Sequence, residues 1–255
     1  MTDDVLLIDT EDRVRILTLN RPRVRNALSQ ELLGRLFPAL ADADADDDVD
    51  VVILTGADPA FCAGVDLKEL GGVDGSGEVP DLSPRWPSMS KPVIGAINGV
   101  AVTGGLELAL YCDVLIASER ARFADTHARV GIMPTWGMTV RLPQAVGRGL
   151  ARRMSLTGDY LLADDALRAG LVTQVVLHDE LLDTAKAVAA SIVGNNRAAV
   201  RALLASYHRI DAAQTREGLD IELETARQWL AGHASAADIA ANREAVLKRG
   251  REQIG

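Results

Sequence analysis

The stretch KPVIGAINGVAVTGGLELALYCDVLIAS (91–118) decides the fold. It opens as an apolar, β-branched run, KPVIGAIN (91–98), of the kind buried on both faces of a parallel sheet. Gly99 to Gly105 reads as a turn, GLELALYC (105–112) as a helix and DVLIAS (113–118) as the next strand. Residues 92–112 also have the length and apolarity of a membrane span. Asn98, Glu107 and the glycines, with Asp113 directly after, would make such a span costly. A buried strand, a glycine turn and a buried helix account for the stretch better.

The same order recurs upstream. VDVVILTG (49–56) is a short continuous apolar strand, and it runs into the small-residue turn of ADPAFCAGVDLKEL (57–70). A repeat of strand, glycine turn and helix about 45 residues apart predicts α/β layering from stacked ββα turns. Before it, VLLID (5–9) and RVRILTLN (13–20) read as a hairpin closed by Asn20-Arg21-Pro22. Ser29 reads as the N-cap of a helix running through Leu40. The run ADADADDDVD (41–50) reads as a solvated helix end and loop, without the Gly turn and closing Glu of an EF-hand. GGVDGSGEVPDLSP (71–84) has the composition of a loop or lid. Helices dominate from Thr135, VTQVV (172–176) is the last strand, and 178–193, 196–212, 214–231 and 235–249 carry helical periodicity. That tail is expected to pack on its own core or on a neighbouring subunit.

The chain has 255 residues and a net charge of −9. The length suits one large domain, or one domain with a helical appendage, and no linker splits it. The charge argues against nucleic acid or an anionic membrane as partner, while a few placed Lys or Arg can still hold an anionic ligand. Cys62 and Cys112 have neither metal-site nor disulfide spacing and suit a reducing, cytoplasmic setting. The N-terminus lacks a basic segment and cleavage site, so no signal peptide is expected. No histidine pair has metal-ligand spacing, and no metal or separate cofactor is expected. His178 reads as a helix start, His208 as helical and His233 as a loop between helices, all packing or surface residues.

Three segments carry chemistry. In AVTGGLELALYCD, Gly104-Gly105 opens a helix after a strand, where unpaired amides and the helix dipole favour negative charge. Glu107 sits one turn in among apolar neighbours, either as a buried acid/base with a raised pKa or as a helix-capping carboxylate. FCAGVDLKEL is a second small-residue turn after a buried strand. Its amides either complete an oxyanion hole with the first turn or belong to an ordinary strand-to-helix turn, with Asp66 capping the helix. RFADTHARVG (122–131) holds His127, with Asp125 two residues before it.

Taken together, LNRPRVRNALS (19–29), DVVILTGADPAFCAGVDLKEL (50–70), the 91–118 stretch, RFADTHARVGIMP (122–134), RLPQAVGRGLARRMSLTG (141–158) and ALRAGLVTQVV (166–176) resemble the enoyl-CoA hydratase/isomerase (crotonase) superfamily. The resemblance spans nearly the whole chain in family order. It implies a spiral of ββα turns over 1–195 and a C-terminal helical oligomerisation module over 196–255, assembled as a homotrimer or a dimer of trimers. It implies an acyl-CoA substrate, with coenzyme A as part of that substrate, and a thioester enolate held by the amides of Val65 and Gly104. Ala63, Asp66, Leu67 and Lys68 would line CoA, with Arg23, Val24 and Arg25 near its phosphates. Lys248 and Arg249 resemble basic residues that reach CoA at that end.

The family's hydratases set two glutamates around one water. The first falls on Glu107 and the second on His127, which replaces a carboxylate with an imidazole titrating near pH 6.5. A Glu–His pair can run the same proton transfers, with Asp125 orienting the ring. Two more departures lie nearby. MPTWGMT stands where a glycine-rich turn is common, so Thr135 and Trp136 either reshape the acyl pocket or leave the Trp136 ring packed outward against a helix. Thr103 replaces a small residue. The expected activity is hydration of a 2-enoyl-CoA to a 3-hydroxyacyl-CoA in fatty-acid metabolism. Isomerisation, decarboxylation, thioester hydrolysis and non-catalytic acyl-CoA binding are the alternatives.

Overall fold

A computed structural model describes residues 4–66, 69, 86–233, 242, 248 and 249. The lid expected at 71–84, the residues Leu67 and Lys68, and most of 235–249 lie outside the described residues. β1 (Leu6–Glu11) and β2 (Val14–Leu19) form the expected antiparallel hairpin, with Leu6 opposite Leu19. β3 (Val51–Gly56), β5 (Val93–Ile97), β7 (Val114–Ser118) and β10 (Gln174–Val176) add to it in parallel, giving the order β1-β2-β3-β5-β7-β10. β3 and β5 are buried at every residue, which is why each reads as an unbroken apolar run. Alternate residues of β3 serve two cores. Val51 and Ile53 pack with Leu181, Ala185 and Ala189 of α7 (Leu181–Val193); Val52 and Leu54 pack in the main core.

The segment Gly99–Gly105 is more than a turn. It contains β6 (Val100–Val102), part of a second sheet ordered β4 (Ala60–Cys62), β6, β8 (Arg122–Ala124) and β9 (Leu161–Leu162). Strands of two or three residues are too short for periodicity to reveal, so sequence patterning passes over them. The corner between β5 and β6 is made by Asn98, which is buried. It accepts the Gly56 N–H and donates to Asp58 and to the Ala60 carbonyl, tying two successive turns together. Each turn of the spiral is therefore a long strand in one sheet, a short strand in the other and, in the best-described turn, the helix α2 (Gly104–Ala109). The architecture is the expected crotonase-type α/β spiral. None of the helices formed by the described residues is long and apolar enough to cross a membrane.

α1 (Gln30–Ala45) starts where Ser29 predicts, with the Ser29 hydroxyl accepting the Leu32 N–H at 3.1 Å. Its buried stripe is Leu32, Leu36, Ala39, Leu40 and Ala43. Ser29→Ala is expected to cost about 1 kcal/mol in urea unfolding. The acidic run after α1 is only partly solvated. Asp46 pairs with Arg15 at 2.9 Å, and Asp50 pairs with Arg13 and with Arg197 at 2.6 Å. Lys91, fully buried, donates to the carbonyls of Ala43 and Asp46 and so closes the C-terminal end of α1.

The tail differs from the sequence expectation. One helix, α8 (Arg197–His233), replaces the two expected over 196–212 and 214–231, and His233 closes it instead of lying in a loop. The expected break falls at Ala212-Ala213-Gln214, all good helix formers, so nothing in the chain interrupts the backbone bonds.

Candidate active site

The two small-residue turns meet. The 21–28 segment buttresses the first of them: Ala63 N–H donates to Arg25 O, Leu28 N–H to Gly64 O and Asp66 N–H to Leu28 O. In this parallel bridge the flanking atoms are spent on Leu28, so the Val65 N–H points away from it. The start of α2 lies close by: a Cβ on Gly104 would lie 3.4 Å from Val65 N. A Cβ on Gly64, which sits at φ +86, would lie 3.3 Å from Gly104 N and 2.9 Å from Val102 O. At Gly105 the approach is tighter still, with a Cβ falling 2.2 Å from Cys62 O. Side chains at 64 and 105 would force the turns apart. Their absence lets two amides, Val65 and the first of α2, lie side by side. Thr103 enters α2 at φ 54 and ψ −119, a strained conformation for a residue with a Cβ. Its hydroxyl is held by that of Thr126 at 2.5 Å.

Glu107 lies on the first turn of α2 and is 3% exposed. Its Oε1 accepts the amides of Trp136 at 2.9 Å and Met138 at 3.3 Å. Its Oε2 stands 3.7 Å from Nε2 of His127, the first residue of α3 (His127–Val130). That gap is too long for a direct hydrogen bond and suits a small molecule bonded to both. On the other side of the ring, Nδ1 lies 2.7 Å from Asp125 Oδ1, which also accepts the His127 amide at 3.1 Å. The loop that follows β8 thus turns Nε2 toward Glu107 and Nδ1 toward Asp125.

The electrostatics follow from burial. Desolvation pushes the Glu107 carboxyl up to about 7, with His127 opposing and Glu222 reinforcing the rise. Burial disfavours the His127 imidazolium, but the Asp125 hydrogen bond and the surrounding carboxylates outweigh it and raise the ring above its ordinary value. Burial also acts against Asp125 ionisation, yet hydrogen bonds from His127 and Ser155 hold it below the usual carboxylate range. The result is an ionised Asp125, an imidazole favoured in its protonated form and a carboxyl poised near neutrality. Desolvation raises both thiols, Cys62 to about 12, so neither offers a nucleophile near neutral pH.

Trp136 opens the turn into α4 (Met138–Val146). It is 5% exposed and sits in the main core, so its ring does not pack outward, and its amide is what reaches Glu107. Arg23, Val24 and Arg25 are exposed beside the first turn, and Ala63 is half-buried within it. Asp66 is 9% exposed and takes both terminal nitrogens of Arg21 at 3.1 Å, a partner the sequence reading passed over. Lys248 and Arg249 are exposed, Arg249 reaching Asp159 at 3.3 Å. Two other histidines make structural contacts: His178 bridges Ser118 and Asp58, and His208 pairs with Asp113. Glu222 was the residue missed. It falls on the helical spacing of Thr215 and Ala226, both buried, a stripe that only the folded helix reveals.

Residues 9–241 match the enoyl-CoA hydratase/isomerase family. Among solved structures, the enoyl-CoA hydratase from Mycobacterium tuberculosis H37Rv is 73% identical, covers 89% of this chain and 97% of its own, and superposes with a TM-score of 0.84. That from Mycobacterium avium is 72% identical with the same coverage and TM-score. The probable peroxisomal enoyl-CoA hydratase 1 of Arabidopsis thaliana is 39% identical over 222 residues, 86% of this chain and 84% of that protein.

Proposed function

The chain belongs to the enoyl-CoA hydratase/isomerase family, and from that premise we infer that it is an enoyl-CoA hydratase, a hydro-lyase adding water to a 2-enoyl-CoA in fatty-acid metabolism. The observation that carries the mechanism is the facing of Glu107 Oε2 and His127 Nε2 across 3.7 Å, with the carboxyl raised to about 7 and the ring raised above its ordinary value. The amides of Val65 and Gly104 take the thioester oxygen and stabilise the negative charge that gathers there as the double bond gives up its electrons. Glu107, as carboxylate, removes a proton from the water as its oxygen bonds to the β-carbon. The His127 imidazolium gives its Nε2 proton to the α-carbon, and Asp125 steadies the ring through Nδ1. Product leaves with one water added; the proton on Glu107 returns to His127 before the next cycle. His127 thus takes the place of a second glutamate.

Exposed Arg23 and Arg25 suit the phosphates of CoA, with Val24 and Ala63 along the same path; Leu67 and Lys68, outside the described residues, are assigned to CoA by the family resemblance alone, while Asp66 serves the loop through Arg21. Thr135 and Trp136 border the acyl end. Residues 196–255 act as the oligomerisation module of a trimer or dimer of trimers, a reading supported by exposed Leu203, Tyr207 and Ile210 at helical spacing on α8.

The test is addition of water to crotonyl-CoA and longer enoyl-CoAs, followed by loss of enoyl absorbance and by product mass. No turnover at any chain length would sink the reading. The same assay is expected to give a bell-shaped kcat/KM. Its acid limb reports protonation of the base and falls near pH 7, where Glu107 sits. Its alkaline limb reports loss of the His127 proton and lies above the ordinary histidine value, since the ring is raised. The two limbs belong to the coupled pair. A flat profile from pH 5 to 10 would contradict the assignment.

A further inference from the structure

The turn that opens α4 is held by two buried carboxylates from different helices. Its four successive amides alternate between them. Trp136 and Met138 donate to Glu107 Oε1, at 2.9 and 3.3 Å. Gly137 donates to Glu222 Oε1 and Thr139 to Glu222 Oε2, each at 2.7 Å, and the Thr139 hydroxyl also donates to Oε2. Glu222 is 3% exposed, like Glu107. The need for it is local. The residue capping α4 is Gly137, at φ 95, with no side chain to take the first-turn amides. Glu222, reaching in from α8, supplies the missing cap.

We propose that Glu222 is a positioning residue of the active site: by taking the Gly137 and Thr139 amides it fixes the turn whose other two amides aim the Glu107 carboxylate at His127. The proposal rests on the hydratase reading, in which Glu107 is the base. Its consequence is that the C-terminal helix contributes to the proton chemistry as well as to assembly. A carboxylate held on Oε1 by two rigid amides presents Oε2 in one direction only. If the turn drifts, both contacts loosen and Oε2 swings off the line to Nε2.

Glu222 also acts on Glu107 through charge. Around Glu107 stand His127 and Asp125 from the loop after β8, Glu222 from α8, and Tyr111 after the end of α2, with the Arg141 guanidinium of α4 4.5 Å from the Tyr111 ring centre. Of these, Glu222 and Asp125 raise the Glu107 carboxyl and His127 lowers it. Removing the Glu222 charge therefore lets Glu107 ionise more easily.

The experiment compares Glu222→Gln, Glu222→Asp and Glu107→Gln with the wild-type chain on crotonyl-CoA across pH. Glu222→Gln keeps the shape but sets an amide donor against amide donors. It is expected to lower kcat about 10- to 100-fold with KM nearly unchanged, and to move the acid limb to lower pH. Glu222→Asp keeps the charge but is one methylene short; it is expected to lower kcat in part and leave the acid limb in place. A merely structural glutamate would lower the amount of folded protein without moving the limb. Wild-type kcat and an unmoved limb in Glu222→Gln would overturn the proposal, as would a loss confined to KM. If Glu222→Gln is insoluble, Glu222→Asp decides: wild-type kcat there overturns the proposal. Should Glu107→Gln keep its turnover, the hydratase reading itself fails; should it lose turnover while the Glu222 variants do not, only this inference fails.

Discussion

Glu107→Gln is expected to lower kcat for hydration of crotonyl-CoA about 10²- to 10⁴-fold, with KM little changed. Glutamine keeps an oxygen that can accept the Trp136 and Met138 amides, so the turn into α4 is retained. What it lacks is a lone pair able to take a proton from water at neutral pH. The stability effect has the opposite sign. The carboxyl's native pKa, about 7, lies above its ordinary value of 4.5. An acid raised in this way contributes nothing against folding below about pH 4.5. It destabilises increasingly as pH climbs through the native pKa, reaching roughly 3 kcal/mol above it. Glu107→Gln is therefore expected to melt higher than wild type at pH 8, with the difference vanishing near pH 4. Turnover within tenfold of wild type would remove Glu107 from the chemistry. A lower Tm at pH 8 would contradict the account of its burial.

His127→Gln is expected to cost a similar factor in kcat, about 10²- to 10⁴-fold, because in the proposed mechanism the α-carbon loses its proton donor. The more informative variant is Asp125→Asn. Asp125 raises the His127 ring both by its hydrogen bond at 2.7 Å and by its charge. Without that charge the imidazolium gives up its proton at lower pH, so the alkaline limb of kcat/KM shifts toward acid while the acid limb moves less. Exchanging the imidazole for a carboxylate, His127→Glu, is expected to leave little activity. It would set a carboxylate beside the buried, ionised Asp125, and like charges that close cannot both persist. Adding Asp125→Asn to it is expected to restore turnover above either single variant. An alkaline limb unmoved in Asp125→Asn would show that His127 is not the group titrating there.

Much of the fold is legible in the chain. The runs VVILTG and VIGAI announce strands covered on both sides, and each is buried throughout. Ser29 starts α1 as its side chain allows. The second sheet was not legible, because β4, β6, β8 and β9 are two or three residues each and their pairing partners lie tens of residues away. The split expected in the tail failed for a local reason: Ala212-Ala213-Gln214 favours helix, and only a Gly or Pro signal there would have justified a break. At the site, Glu107 stands out as a carboxylate in an apolar segment, whereas His127, set among Asp125, Thr126 and Arg129, is singled out only by the family resemblance. Glu222 looks much like exposed Glu217 and Glu224 on the same helix.

The sequence by itself determined what each segment can become. It placed small residues at 64, 104 and 105, where backbones approach closely, an acid one turn into an apolar helix, and an imidazole two residues after a carboxylate. Those are local properties, set by φ/ψ freedom, hydrophobic run length and side-chain chemistry. The tertiary structure decided what faces what. It brought Val65 beside Gly104, left 3.7 Å between Glu107 and His127, and laid Glu222, more than eighty residues downstream, against the turn whose amides bind Glu107. A carboxylate's pKa and role depend on the charges, amides and solvent around it, and those arrive from distant parts of the chain only on folding.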